Sequence, residues 1–169
     1  GVLDADLSLY VDSFRAAETT FSMLTQVVGR SGRGESEGTA VIQTMTPDNP
    51  VIRLAAAQDY DAFYEAEVAM RAARGCPPFQ DLVTITFAGA LESQVVASAV
   101  RFRDRLLGVM QLPQYGGLAM QVLGPAPAAV TRVNNVYRYR LTLETRAERP
   151  VRQLIAALLR EHAKEKENR

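Results

Sequence analysis

Apolar positions recur along this chain in two periods, and the switches between them divide it into elements. Over residues 14–28, Phe14, Ala17, Phe21, Leu24 and Val28 return at three- and four-residue steps, the spacing of one helix face. That helix is expected to stop at Gly29-Arg30-Ser31-Gly32-Arg33-Gly34, where three glycines in six residues favour irregular backbone. Residues 38–44 (GTAVIQT) then read as a strand, as do residues 1–6 (GVLDAD), and Thr46-Pro47-Asp48-Asn49-Pro50 is turn chemistry. Helices are predicted over 51–58 and 60–74, the second carrying Phe63, Val68 and Met70 among Glu65, Glu67 and Arg71. Gly75-Cys76-Pro77-Pro78 breaks the pattern, which places a domain boundary between 1–74 and 75–169.

Beyond the boundary the period alternates again. Residues 82–88 (LVTITFA) read as a strand, and 93–110 as a helix with Val95, Val96, Ala99, Phe102, Leu106 and Met110 on one side. A short strand at 121–123 precedes Gly124-Pro125-Ala126-Pro127, and 136–145 is a longer strand. In it Tyr137, Tyr139, Leu141 and Leu143 share one face, and Arg138, Arg140 and Thr142 share the other. Residues 150–166 form a helix opened by proline. The order βαββα is one strand short of a ferredoxin-like split βαβ unit. The expected class is therefore α/β, with an α+β second domain that lacks its last strand. A chain that opens within a strand and carries an incomplete sheet is expected to be a piece of a longer protein.

Composition narrows the function classes. With 47% apolar residues a packed core is expected. Nineteen basic and 19 acidic residues give zero formal charge, so any grip on nucleic acid has to be a local patch. The only lysines are Lys164 and Lys166, and every other basic residue is arginine. A single cysteine, Cys76, allows no internal disulfide and no cysteine-cluster zinc site. The single histidine, His162, has no cysteine or serine partner nearby in sequence, so no catalytic role is assigned to it. No apolar run reaches the roughly 18 residues of a membrane span; a cytoplasmic protein is expected.

Candidate chemistry concentrates in Gln26-Val27-Val28-Gly29-Arg30-Ser31-Gly32-Arg33. A glutamine on a helix's last turn can address a nucleotide, and glycines let backbone turn beside phosphates. Two arginines three residues apart can project towards a partner lobe. An arginine supplied across a cleft stabilises the charge on a transferred phosphoryl group by about 10³–10⁵ in rate. The plain alternative is a glycine-rich loop with two solvated arginines. The pattern resembles motif VI of superfamily 2 helicases, in their second RecA-like lobe. A Walker A loop needs a lysine, and neither Lys164 nor Lys166 stands in such a loop; the chain alone is not expected to hydrolyse ATP.

The flanks sharpen the resemblance. Val2-Leu3-Asp4-Ala5-Asp6, Asp12-Ser13-Phe14-Arg15-Ala16-Ala17-Glu18 and Leu24-Thr25-Gln26-Val27-Val28-Gly29-Arg30-Ser31-Gly32-Arg33 stand in order. Gly38-Thr39-Ala40-Val41-Ile42-Gln43-Thr44, Tyr60-Asp61-Ala62-Phe63-Tyr64, Pro77-Pro78-Phe79, Leu123-Gly124-Pro125-Ala126-Pro127 and Tyr137-Arg138-Tyr139-Arg140 follow. The run resembles the PriA (primosomal protein N′) family of replication-restart DNA helicases. That resemblance implies a 3′-to-5′ helicase that recognises abandoned forks and promotes primosome assembly, using ATP with magnesium. By it, 1–74 ends the second helicase lobe and 75–169 is a C-terminal domain similar to a small-subunit ribosomal protein. The family's zinc would lie upstream, so no metal ligand is assigned here. Arg30 and Arg33 take the catalytic role, and Gln26, Gly29, Arg30 and Arg33 the nucleotide-binding one. Family members usually end in a further strand and place a large apolar residue where Cys76 stands.

Weaker candidates for DNA or partner contact are Arg138 and Arg140 on the strand, and Arg101 and Arg105 one helical turn apart. Arg149 and Arg152, at the start of the last helix, would meet the acidic C-terminal tail of the single-stranded-DNA-binding protein, beside a positive helix end. Expected partners are forked DNA, that tail and other primosome proteins, with no membrane. Two alternatives stay open: an ATP-independent DNA- or protein-binding module, and a different superfamily 2 translocase.

Overall fold

The computed structural model describes residues 1–31 and 39–167, which form two compact units, Gly1–Arg74 and Gly75–Arg169. In the first, α1 (Asp6–Leu9), α2 (Ala16–Ser31), α3 (Pro50–Ala57) and α4 (Tyr60–Arg74) enclose Ala5, Phe21, Leu24, Ile52, Ala55 and Phe63. The Phe21 and Phe63 rings stack at 4.0 Å. Asn49 caps α3 by accepting from the Val51 N–H at 2.9 Å, with Pro50 at the first helical position. Gln58, in the left-handed region at φ 55°, ends it.

Two expectations fail here for physical reasons. Residues 1–6 and 38–44 do not form strands: among the described residues they contribute one parallel bridge, Val2 to Ile42. The extended run breaks at Asp4, whose φ is 54°, and Gly38 lies outside the described residues. Helix α2 also runs through Gly29 to Ser31. A single interior glycine costs only about 1 kcal/mol relative to alanine, and the Ser31 hydroxyl donates to the Val28 carbonyl at 2.6 Å.

Asp6 ties the chain's start to the turn before α3. Its buried carboxylate accepts the Met45 N–H at 2.7 Å and the Thr46 hydroxyl at 2.5 Å. The Thr46 bond first, then the Met45 bond, lower its pKa from the ordinary 3.8 against the opposing effect of burial. A depressed carboxylate stabilises the fold above its unfolded-state pKa, and this contribution is lost as pH falls through the folded value. Asp6→Asn is therefore expected to lower the urea midpoint at pH 7, with the gap to the unsubstituted chain closing below about pH 4. A gap independent of pH would remove the charge from this account.

The second unit holds β1 (Asp81–Gly89), α5 (Glu92–Met110), a 3-10 turn, β2 (Met120–Val133), β3 (Val136–Thr145) and α6 (Arg149–Glu167). It is an α+β domain with the βαββα order expected from the hydrophobic pattern. Its antiparallel sheet has the order β1-β3-β2, with Ile85 opposite Leu141 and Val83 opposite Leu143. The inner face buries Ile85, Phe87, Leu141 and Leu143 against Val95, Ala99, Phe102 and Leu106 of α5 and Val151, Leu154, Ile155 and Leu158 of α6.

Strand β2 is far longer than the expected 121–123. It passes through Gly124-Pro125-Ala126-Pro127 with register shifts on both sides and returns to β3 through Asn134 and Asn135, both at positive φ, the backbone a two-residue hairpin requires. Prolines are compatible with it because β2 lies at a sheet edge, where a missing N–H costs no ladder bond. At Gly124, φ 98°, an added Cβ would stand 2.8 Å from the Arg140 carbonyl oxygen, so the close strand approach needs glycine. The other edge, β1, has no strand on its outer side among the described residues. It borders a groove lined by Phe87, Leu91, Val95, Leu159, His162 and Ala163.

Candidate nucleotide and nucleic-acid surfaces

Helix α2 carries the motif and is anchored along its length. Near its start, Arg71 of α4 donates to Glu18 at 2.9 Å and to Glu67 at 2.8 Å, while its guanidinium lies 5.3 Å from the Phe14 ring centroid. Burial opposes the Arg71 charge, but the bonds to Glu18 and Glu67 outweigh it and raise its pKa. The far end of α2 packs on α3, where an added Cβ at Gly29 would come within 3.3 Å of the Gln58 side-chain amide.

Gln26 and Arg30, four residues apart, share one side of α2, and both are exposed. Among the described residues Gln26 makes only a long bond to Ser22 at 3.4 Å. Arg30 has no ion-pair partner among the described residues. Gly29 and Arg30 thus sit in the last helical turn instead of the expected glycine turn. Gly32, Arg33 and Gly34 lie outside the described residues. The arrangement offers a neutral amide and an exposed guanidinium at one helix end, which suits an anionic group beside it.

In the second unit, Arg138 is exposed and Arg140 half-buried on the open sheet face, opposite Ala88 and Thr86. On the inner side Tyr139 donates to Glu92 at 2.6 Å, and that bond to a carboxylate raises its pKa. The arginines of α5 differ sharply. Arg105 is held by Glu161 at 2.7 Å and Glu165 at 2.6 Å, and Arg103 by Asp104 at 2.7 Å. Arg101 is exposed without an ion pair among the described residues. It borders a hollow with Ser93, Gln94, Ser98 and His162.

His162, without a partner nearby in sequence, gains one through the fold. Its Nε2 lies 2.8 Å from the Ser98 hydroxyl, and Phe87 and Phe102 meet its ring edge-on at 5.7 and 5.5 Å. The histidine is a packing element that joins α6 to α5. Arg149 and Arg152 are exposed at the start of α6, and Arg152 lines a hollow with Pro78, Phe79, Arg146 and Glu148. Cys76 is half-buried and unpaired. No group of three or more potential ligands that could hold a metal occurs among the described residues. No helix there is long and apolar enough to cross a membrane.

Comparison with known proteins gives one concordant result. The family described as the primosomal protein N C-terminal domain matches residues 72–169. A replication restart protein PriA from Bacillus subtilis is 33% identical over 169 residues, all of this chain and 20% of the relative. Proteins of the same name from Rickettsia typhi and Synechocystis are 34% identical over 143 residues and 35% over 144. Each match covers 85% of this chain, and 21% and 17% of those relatives respectively. The chain spans about a fifth of the length of the relatives it matches.

Proposed function

Because the chain belongs to the PriA family, we propose that it is the C-terminal part of an ATP-dependent 3′-to-5′ DNA helicase that restarts replication at abandoned forks. Residues 1–74 complete the second RecA-like lobe, and 75–169 form a DNA- and protein-contacting domain. The observation that carries this reading is the end of α2: exposed Gln26 and Arg30 on one side, directly ahead of Gly32-Arg33. When bound upstream, magnesium and ATP supply the reacting phosphates. The residues here bind the nucleotide from the opposite wall and neutralise developing charge. Zinc belongs to the upstream part. The test is Arg33→Ala in the complete protein, read as ATP turnover against fork binding.

The open sheet face is the proposed DNA contact of the second domain. Arg138 and Arg140 present guanidinium groups suited to phosphates, beside Thr84, Thr86 and Thr142, which share that face by register. Replacing both arginines with glutamine is expected to weaken binding of a forked duplex about tenfold and to flatten its salt dependence. Fluorescence anisotropy at two salt concentrations checks this, and unchanged affinity would remove the face from the interface. The hollow beside Arg152 and Phe79 offers charge and an apolar contact to the acidic tail of the single-stranded-DNA-binding protein. Arg101 is a further contact on α5, whereas Arg105 is occupied by its two glutamates. The setting is the bacterial cytoplasm, with other primosome proteins as partners.

A further inference from the structure

Helix α6 carries an outer face with a different character from the first-turn hollow. Arg149, Arg152, Arg160 and Lys164 are all exposed, and none has an ion-pair partner among the described residues. At about 100° per residue they fall within one third of the helix surface. That third lies opposite the buried Val151, Leu154, Ile155 and Leu158. Of the acidic residues of α6, Glu161 and Glu165 pair with Arg105 of α5, and Glu167 lies one turn beyond Lys164, past the end of the stripe. A chain of zero net charge thus exposes a basic stripe.

We propose that this stripe is a phosphate-tracking ridge for the backbone of duplex nucleic acid. From Arg149 to Lys164 it runs about 22 Å at 1.5 Å per residue, the axial length of about six base pairs at 3.4 Å per phosphate along each strand. Between the cations lie Gln153, Ala156, Ala157 and Ala163, the last at the edge of the β1 groove. Leu159 is the large apolar side chain that α6 exposes, and it lies towards the β1 groove. A polyanion needs charge and length alone, and both are present. An acidic peptide with an apolar tip would instead use the groove that Leu159 and Ala163 line beside β1. Arg160 and Lys164 stand about 12 and 18 Å along the helix from Arg152. The ridge rests on neither the ATP-site assignment nor the sheet face, and its failure would leave both standing.

The test uses this chain, a fluorescein-labelled 20-base-pair DNA duplex and the double substitution Arg160→Gln/Lys164→Gln, with Arg103→Gln as a control whose charge is already paired. Circular dichroism melting verifies that all three chains are folded. The double variant is expected to bind the duplex about tenfold more weakly at low salt. The slope of log affinity against log salt should fall by about 2, at roughly 0.9 for each phosphate no longer neutralised, while the control keeps both values. An unchanged slope in the double variant would overturn the ridge, as would an equal weakening in the control. So would a chain that leaves duplex unbound yet binds an acidic peptide through Arg160 and Lys164.

Discussion

Replacing Arg33 with alanine in the complete protein is expected to lower DNA-stimulated ATP hydrolysis by about 10³-fold or more, with binding to a forked duplex retained. The reason is charge. As the terminal phosphoryl transfers, negative charge spreads over its oxygens, and a guanidinium from the facing lobe stabilises that state more than the bound substrate. An interaction made only in the transition state lowers kcat and kcat/KM together, so the Arg33 variant should keep its KM for ATP. Gln26→Ala, which would remove the proposed ground-state contact, should instead raise KM. Arg33→Lys is expected to recover little, because an ammonium lacks the planar fork that matches phosphate oxygens. Turnover unchanged by Arg33→Ala would sink the motif assignment and, with it, the helicase reading of residues 1–74.

Where one local signal governed an element, the sequence was sufficient to read it. Strand β3 alternates so regularly from Tyr137 to Leu143 that its inner and outer faces follow from period two alone, and Leu141 and Leu143 are fully buried. Where two signals competed, the weaker one misled. Gly29 looked like a helix end, yet helical hydrogen bonding continues to Ser31; Gly124-Pro125 looked like a strand end, yet β2 continues as an edge strand to Val133. Long-range pairing was the real gap. Arg101 and Arg105, one helical turn apart, are equivalent in sequence, and only the packing of α6 on α5 sets Arg105 apart from Arg101. The Glu161 and Glu165 pair, one turn apart, was the available signal for Arg105. Ser98 and His162, 64 residues apart, had none.

The second large effect concerns the core of the second unit. Phe102 is 1% exposed, its ring 5.6 Å from Phe87 and 5.5 Å from His162. Truncation to alanine removes the side chain that holds β1, α5 and α6 together, and neighbours on three elements cannot all collapse into the space. The expected cost is about 3–5 kcal/mol, a large part of the roughly 5–15 kcal/mol a domain has in total. Phe102→Leu, which refills most of the volume, should cost clearly less. The chain has no tryptophan, so urea unfolding followed by far-ultraviolet circular dichroism gives the size of the effect, and hydrogen exchange gives its place. The two hydrophobic clusters share no residue, so protection should fall across 81–110 and 136–158 while α2 and α4 keep theirs. A loss spread evenly over both units would mean that the clusters unfold as one body. A cost below about 1 kcal/mol, far short of the range for a buried phenylalanine, would mean that Phe102 is not the keystone its burial makes it.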